Sequence, residues 1–347
     1  MRAAARALAA LLLSASTAAS AASGESTPRP LWEAYKQRFI SPEGRLVDDS
    51  AQDVSHSEGQ GYAMLLAAFA DDNEMFASLW GWTSTHLEIR GDGLAAWRWR
   101  PQDNPHVKDR NNATDGDLLI AWALAEGGRE WNNPGYTRQA RKIALAIASH
   151  ATYPAIFGTA LSPGVDGFGP KDGEDGPVVN FSYWVFPAFE ALAAVAPEVD
   201  WPGLRRSGLA LIDGARFGPR GVPSDWISLA RGIQPAAAFP RRFGYDAVRV
   251  PLYLAWGSPS ERWRLGRLMD AWLGEGGDAP AVIDIDSGAA TEAFGADGYL
   301  AVAALGRCAA RDVKFPDALR TVKLDRYFPA TLHMLVLTAL KRKFPQC

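Results

Sequence analysis

Cysteine is nearly absent. Cys308 and Cys347 alone, in 347 residues, exclude a thiolate metal cluster and a disulfide-dense scaffold, although the pair can form one bridge in an oxidising compartment. Histidine is almost as sparse: His56, His86, His106, His150 and His333 make neither HExxH nor another tight ligand set, so no metal and no other cofactor is called for. No Walker sequence is present, and Gly59 and Gly61 do not extend to GxGxxG, which removes the common phosphate cradles. No apolar run reaches the roughly 20 residues of a membrane-spanning helix. Positive charge is not in excess, with 36 Lys and Arg against 39 Asp and Glu, so nothing points to a nucleic-acid partner. Alternating strand patterns are scarce, the two extended candidates being GRLVDD at 44–49 and APAVIDID at 279–286.

Among what is present, residues 1–21 set Arg2 and Arg6 before a short apolar run and end on Ala19-Ser20-Ala21, the form of an export signal. The expectation is a periplasmic chain, with secretion as the alternative, whose residues 22–347 form a single domain undivided by any long Pro/Ser linker. The glycine-rich acidic patch DGEDG at 172–176 reads as a solvated loop, with a structural calcium site as the alternative.

Helical periodicity is found in eleven segments, nearly all stopped by Gly, Pro or Asn clusters. Five of them, opening near residues 57, 113, 180, 245 and 292, share a design: small or polar residues first, then an almost wholly apolar helix. A helix apolar all round must be enclosed, whereas the amphipathic helices between them can face water. Alternating enclosed and outer helices predict an all-α fold, two concentric rings in an (α/α)6 toroid, with every enclosed helix opening on one rim. A stack of helical repeats is the competing arrangement, but it gives no reason to keep polar patches at the starts of the apolar helices.

On that rim the helix openings place Glu58, Asp115, Asp117 and Asp246, with Arg249 one turn further on. Each acid alone is accounted for by capping or by the helix dipole, with Ser55 or Ser57 as the cap of the first helix and Thr114 or Asp115 of the second. Together they are joined by Gly59, Gly61 and Gly116, read as clearance for a ligand, and by aromatic residues including Tyr62, Trp97, Trp99, Phe181, Tyr183, Trp184, Trp226 and Tyr245. Carboxylates in an aromatic groove suggest carbohydrate. Cleaving a glycosidic bond needs one protonated acid and one ionised carboxylate across a sugar ring. Glu58 suits the donor, since glutamate starts from the higher reference pKa and aromatic enclosure raises it further. Asp246, next to Arg249, suits the base. Asp115 is placed to hold a distorted sugar, Asp117 to support its helix start, and Arg249 is alternatively a ligand for a sugar hydroxyl.

The motifs SEGQGYAM at 57–64, ATDGDL at 113–118, NFSY at 180–183 and YDAVR at 245–249 resemble glycoside hydrolase family 8, and within it the periplasmic endoglucanases encoded with bacterial cellulose synthase. The resemblance implies an (α/α)6 toroid that cuts a β-1,4-glucan such as cellulose with inversion, with a functional link to the cellulose synthase complex. It implies Glu58 as acid, Asp246 as base and Asp115 as the group that binds and distorts the sugar. Gln60, Tyr62, Trp97, Tyr183, Tyr245 and Arg249 are then substrate-binding. The sequence departs from the family pattern at Ala63, where glycine is common, and at Phe181, where proline is common. Xylan or chitosan hydrolysis, a toroid polysaccharide lyase and a noncatalytic glycan-binding protein remain as alternatives.

Overall fold

The structure is a computed structural model describing residues 27–347 except Ser258, Glu275, Gly276 and Asp278; the export signal expected at 1–21 lies outside the described residues. Eleven α-helices are found among the described residues, one for each periodic segment of the sequence. They are α1 (Arg29–Phe39), α2 (Ser57–Phe69), α3 (Asn73–His86), α4 (Thr114–Glu130), α5 (Pro134–His150), α6 (Phe186–Val195), α7 (Trp201–Gly214), α8 (Arg249–Gly257), α9 (Arg262–Leu273), α10 (Asp297–Arg311) and α11 (Tyr327–Lys343). No described helix is long and apolar enough to cross a membrane.

Burial sorts these helices into two rings. In α2 every residue except Glu58 is buried, and α4, α8 and α11 are enclosed nearly as fully. By contrast α5 buries one stripe, Ala140, Ile143, Ala144, Ala146 and Ile147, and turns the rest to solvent. The enclosed helices pack in order, α2 on α4, α4 on α6, α6 on α8, α8 on α10, α10 on α11, and α11 back on α2, so six close a ring. Helices α3, α5, α7 and α9 lie outside it, and α1 packs over α11, where Tyr35 meets Thr331 at 2.7 Å and Thr27 meets Thr338 at 3.0 Å. Residues 312–326, which hold a 3₁₀ turn at Asp317–Arg320, connect α10 to α11 without an outer α-helix. This is the expected (α/α)6 architecture, with one enclosed helix beyond the five whose openings the sequence marks.

Outer-helix starts are set by ordinary capping chemistry. Asp72, Asn133 and Asp200 accept from the first-turn amides of α3, α5 and α7, the last two ahead of a proline. The short strands serve the loops. β1 (Ser55–His56) pairs antiparallel with β2 (Arg98–Trp99), and β3 (Thr152–Ala155) with β4 (Gly158–Leu161). β5 (Val178–Val179), β6 (Ile227–Ser228) and β7 (Gln234–Pro235) form one three-stranded sheet, and β8 (Arg242–Phe243), β9 (Ala281–Asp284) and β10 (Ala290–Ala293) another. Of the two extended candidates, 279–286 contains β9, whereas 44–49 makes only isolated bridges, Ile40 to Leu46 and Asp48 to Val54. DGEDG forms turns: Asp172 accepts from the amide of Gly169 and Asp175 from that of Ala238. The two cysteines are bridged, with Cα atoms 5.9 Å apart.

Candidate active site

The openings of the enclosed helices meet at one end of the ring. Ser57 begins α2 with its amide donating to the carbonyl of Trp97, so the β1–β2 pair carries Trp97 to the start of that helix. The cap is neither Ser55 nor Ser57 but His56, whose Nδ1 accepts from the amide of Gly59 at 3.0 Å. Helix α4 has no side-chain cap; Asp115 folds back on its own turn and accepts from Gly116 N at 2.8 Å.

Arg249, the first residue of α8 and only 4% exposed, joins the openings. Its Nη1 donates to Glu58 Oε1 and, at 3.0 Å, to Asp115 Oδ2. Its Nη2 donates to Asp246 Oδ1 at 2.8 Å and to Ser182 Oγ at 2.7 Å, and its Nε reaches the carbonyl of Asp246 at 3.3 Å. One guanidinium thus gathers three carboxylates from three segments, using the planar fork that suits arginine to the task. Burial acts to lower the Arg249 pKa, but Glu58, Tyr62, Asp115 and Asp246 carry it well above the ordinary value. Asp115 is pushed up to about 7, by burial first and by the charge of Glu58 second.

Glu58 and Asp246 stay accessible, with side-chain exposures of 17% and 32% against 4% for Asp115. Glu58 also accepts from the hydroxyl of Tyr62 at 3.2 Å, and Tyr62 bonds in turn to the hydroxyl of Tyr253. Asp246 Oδ2 accepts from the indole Nε1 of Trp226 at 3.1 Å. Tyr183 is half-buried beside this group, its phenol held well above its usual pKa by burial and by the charge of Asp115.

The structure shows what the other expected site residues touch. Gln60 is fully buried on the outer side of α2, where Oε1 accepts from Leu46 N at 2.6 Å and Nε2 donates to Thr83 Oγ1 at 2.7 Å, so it fastens a loop to α3 and does not face a ligand. Tyr62 is also fully buried and stands behind Glu58. Arg249 spends its donors on protein oxygens, not on a sugar hydroxyl, because three neighbouring acids demand a counter-charge. Tyr245 is half-buried and bonded to Glu292 at 2.5 Å, with its ring edge-on to Phe294 and Tyr299. The glycines are not clearance for a ligand: a Cβ on Gly61 would stand 2.5 Å from Leu119 Cβ, and one on Gly116 would stand 2.7 Å from Glu58 N. Gly61 and Gly116 let α2 and α4 approach each other, whereas Gly59 faces Leu46 and Tyr327. Asp117 supports the start of α4, accepting from Ala95 N and Asn112 Nδ2, both at 2.8 Å. Trp99 packs with Trp82 and His106, while Phe181 and Trp184 belong to the core.

Ser182, Asp225, Tyr253 and His56 carry structural work that the sequence reading passed over. Ser182 lies inside the NFSY motif, and Tyr253 stands one helical turn after Arg249, so both had a signal in spacing. Asp225 sits in a loop with no periodicity to mark it.

The comparisons with known proteins agree with this fold. The model of glycosyl hydrolases family 8 matches residues 1–342. A probable endoglucanase of Novacetimonas hansenii is 36% identical over 315 residues, covering 89% of each chain. An endo-β-1,4-glucanase of Acetobacter xylinum superposes with a TM-score of 0.80 at 34% identity, covering 91% of this chain and 98% of that one. A family 8 endoglucanase of Klebsiella pneumoniae gives 0.80 at 34% identity, covering 89% and 98%. With its six-helix inner ring and a match along nearly its whole length, the chain belongs to glycosyl hydrolase family 8.

Proposed function

We propose that this protein is an exported endo-β-1,4-glucanase that cuts internal bonds of a cellulose-type glucan with inversion, Glu58 acting as general acid and Asp246 as general base. The observation that carries the assignment is the Arg249 guanidinium, which brings Glu58, Asp115 and Asp246 to one place while leaving the first and last open to solvent. The activity itself follows family membership and the endoglucanase relatives. The disulfide suits an oxidising compartment, which supports export to the periplasm. The link to cellulose synthesis rests on the motif resemblance.

In the reaction Glu58 exchanges its Arg249 contact for the glycosidic oxygen and delivers a proton as the bond to the anomeric carbon breaks. Asp246 removes a proton from a water that attacks that carbon from the opposite face. Each turnover moves one proton out of Glu58 and one onto Asp246, and solvent resets both. Inverting pairs stand roughly 6.5–9.5 Å apart to leave space for the water, and here Glu58 and Asp246 are bonded to different nitrogens of one guanidinium. In this reading Asp115 takes a sugar hydroxyl, and Trp97 and Tyr183 flank the ring.

The test uses the processed chain recovered from the periplasmic fraction on carboxymethylcellulose, following reducing ends and viscosity together. Viscosity should fall early, because internal cuts shorten chains faster than terminal release. E58Q and D246N should each lose about 10²–10⁴-fold in kcat, the usual weight of a general acid or base. Wild-type turnover in both variants overturns the residue roles, an unsaturated ultraviolet-absorbing product overturns hydrolysis, and an uncleaved chain held in the cytoplasm overturns the compartment.

A further inference from the structure

We infer that the dipeptide Asp225-Trp226 is the positioning unit of the base: Asp225 holds the backbone turn that presents Asp246, and Trp226 holds the Asp246 carboxylate itself. This deepens the reading of Asp246 as the base and rests on it. Neither residue belongs to an enclosed helix, and no part of the acid–base chemistry above uses either one.

Asp225 is 2% exposed. Its Oδ1 accepts from Gly244 N at 2.7 Å and from Ala247 N at 3.0 Å, the amides on either side of Tyr245-Asp246, so one carboxylate oxygen pins both ends of the turn. Its own amide donates to the carbonyl of Arg242 at 2.7 Å, and Arg242 Nε returns to Oδ2 at 3.2 Å. A Cβ on Gly244 would stand 2.7 Å from Oδ2, so a residue without a side chain is required for this approach. The next residue completes the unit. Trp226 Nε1 donates to Asp246 Oδ2 while Arg249 Nη2 donates to Oδ1, one donor for each oxygen, which sets the plane of the carboxylate and leaves its remaining lone pairs to water. The Trp226 ring is stacked on Phe239, with centroids 4.3 Å apart, and on Phe168 at 5.6 Å. The ring is therefore held by aromatic packing, which aims its N–H.

Asp246 is faced by the indole N–H of Trp226 and by Arg249, by the carboxyls of Asp225, Asp115 and, across Arg249, Glu58, and by the Tyr183 phenol. Burial first, and the charge of Asp246 second, raise Asp225 to about 6.

The experiment compares wild type, W226F, D225N and D246N by kcat, KM and the pH profile of kcat/KM, which reports groups of the free enzyme. W226F keeps a ring in the stack and loses the N–H. Its kcat should fall by about tenfold with KM little changed, the cost of a hydrogen bond to a charged group, and its acidic limb should move to higher pH. D225N keeps an oxygen for both amides, and because Asp225, raised to about 6, is already protonated at lower pH, a neutral amide in its place should leave the acidic limb where the wild type has it. A misfolded or loosened site would move the limb in both variants. If both limbs move, or neither moves, the positioning unit is wrong. If D246N turns over like wild type, the base assignment fails instead; if D246N is inactive while W226F matches wild type, the base stands and the positioning unit falls.

Discussion

Arg249 shows why chemistry was legible in the sequence while orientation was not. A cation and three acids at helix openings announce a charged site, but whether the cation meets a ligand or the acids depends on how far it is buried. Part of the orientation was nonetheless available. Glu58 and Tyr62 are four residues apart on α2 and share a face, as do Arg249 and Tyr253 on α8, whereas Gln60 follows Glu58 by two and must point to the other side of a 3.6-residue helix. The structure obeys that geometry, with Tyr62 on Glu58 and Gln60 on Thr83. Asp117 carries a prediction at this scale. It is 1% exposed, and burial, opposed by its bonds from Ala95 and Asn112, pushes it up to about 7. A carboxyl raised in the folded state binds more protons than in the unfolded chain between about pH 4 and 7, so its stability contribution is complete below about 4 and is lost as the pH rises through about 7. Thermal melts of wild type and D117N across pH 4–8 should show the wild type's advantage largest at the acidic end and shrinking towards neutrality. An advantage that grows with pH would mean that Asp117 is ionised throughout.

Among the elements, the α2–α4 contact sets the distance between the two helix openings that bear Glu58 and Asp115. Gly61 against Leu119 and Gly116 against Ser57 and Glu58 admit no added atom without a shift of backbone. G116A should therefore destabilise by about 1–3 kcal/mol, the usual cost of overpacking, and reduce kcat as well, since the shift moves Glu58. Gly81 gives the opposite case. It is exposed in the middle of α3 with nothing within 4 Å of an added Cβ, so G81A should stabilise by about 0.8–1.0 kcal/mol through helix propensity alone, with turnover unchanged. Denaturant melts of the two variants check both signs, and a stabilising G116A would end the close-packing account. Element existence was legible because periodicity survives in every one of the eleven helices. The sixth opening escaped notice because α11 begins with Tyr327-Phe328-Pro329, where the other openings are small or polar. The hairpin at 152–161 escaped because its strands are half-exposed and short, with no alternation long enough to register.

At the scale of the whole molecule the ring must be closed, and closure falls to α11, which packs on α10 and α2 and is covered by α1. Its opening reaches the rim, where the Tyr327 ring stands edge-on to His56 with centroids 5.6 Å apart. At the opposite end Arg342 lies over Phe69, and Phe69 meets Trp122 and Trp256. Beyond it Cys347 is bridged to Cys308 in the last part of α10, across a sequence separation of 39, and the Cys347 carbonyl accepts from Phe315 N and Arg320 Nη2. The bridge therefore fastens the closing helix to its neighbour and straps down the connection that has no outer helix. Confining a loop of that length in the unfolded chain stabilises a fold by about 2–4 kcal/mol. With an unfolding entropy of about 2.1 cal/mol/K per residue, a chain of this size should lose roughly 3–6 °C in apparent Tm when the bridge is removed. The double variant C308A/C347A should show that loss in the absence of reductant, and wild type should approach it when dithiothreitol is added. Turnover at 25 °C should stay at the wild-type level, because the bridge joins the last part of α10 to the end of the chain and not to a helix opening. An unchanged Tm would show that packing alone holds α11 in place, and lost turnover with an intact fold would show that the strap reaches the active site.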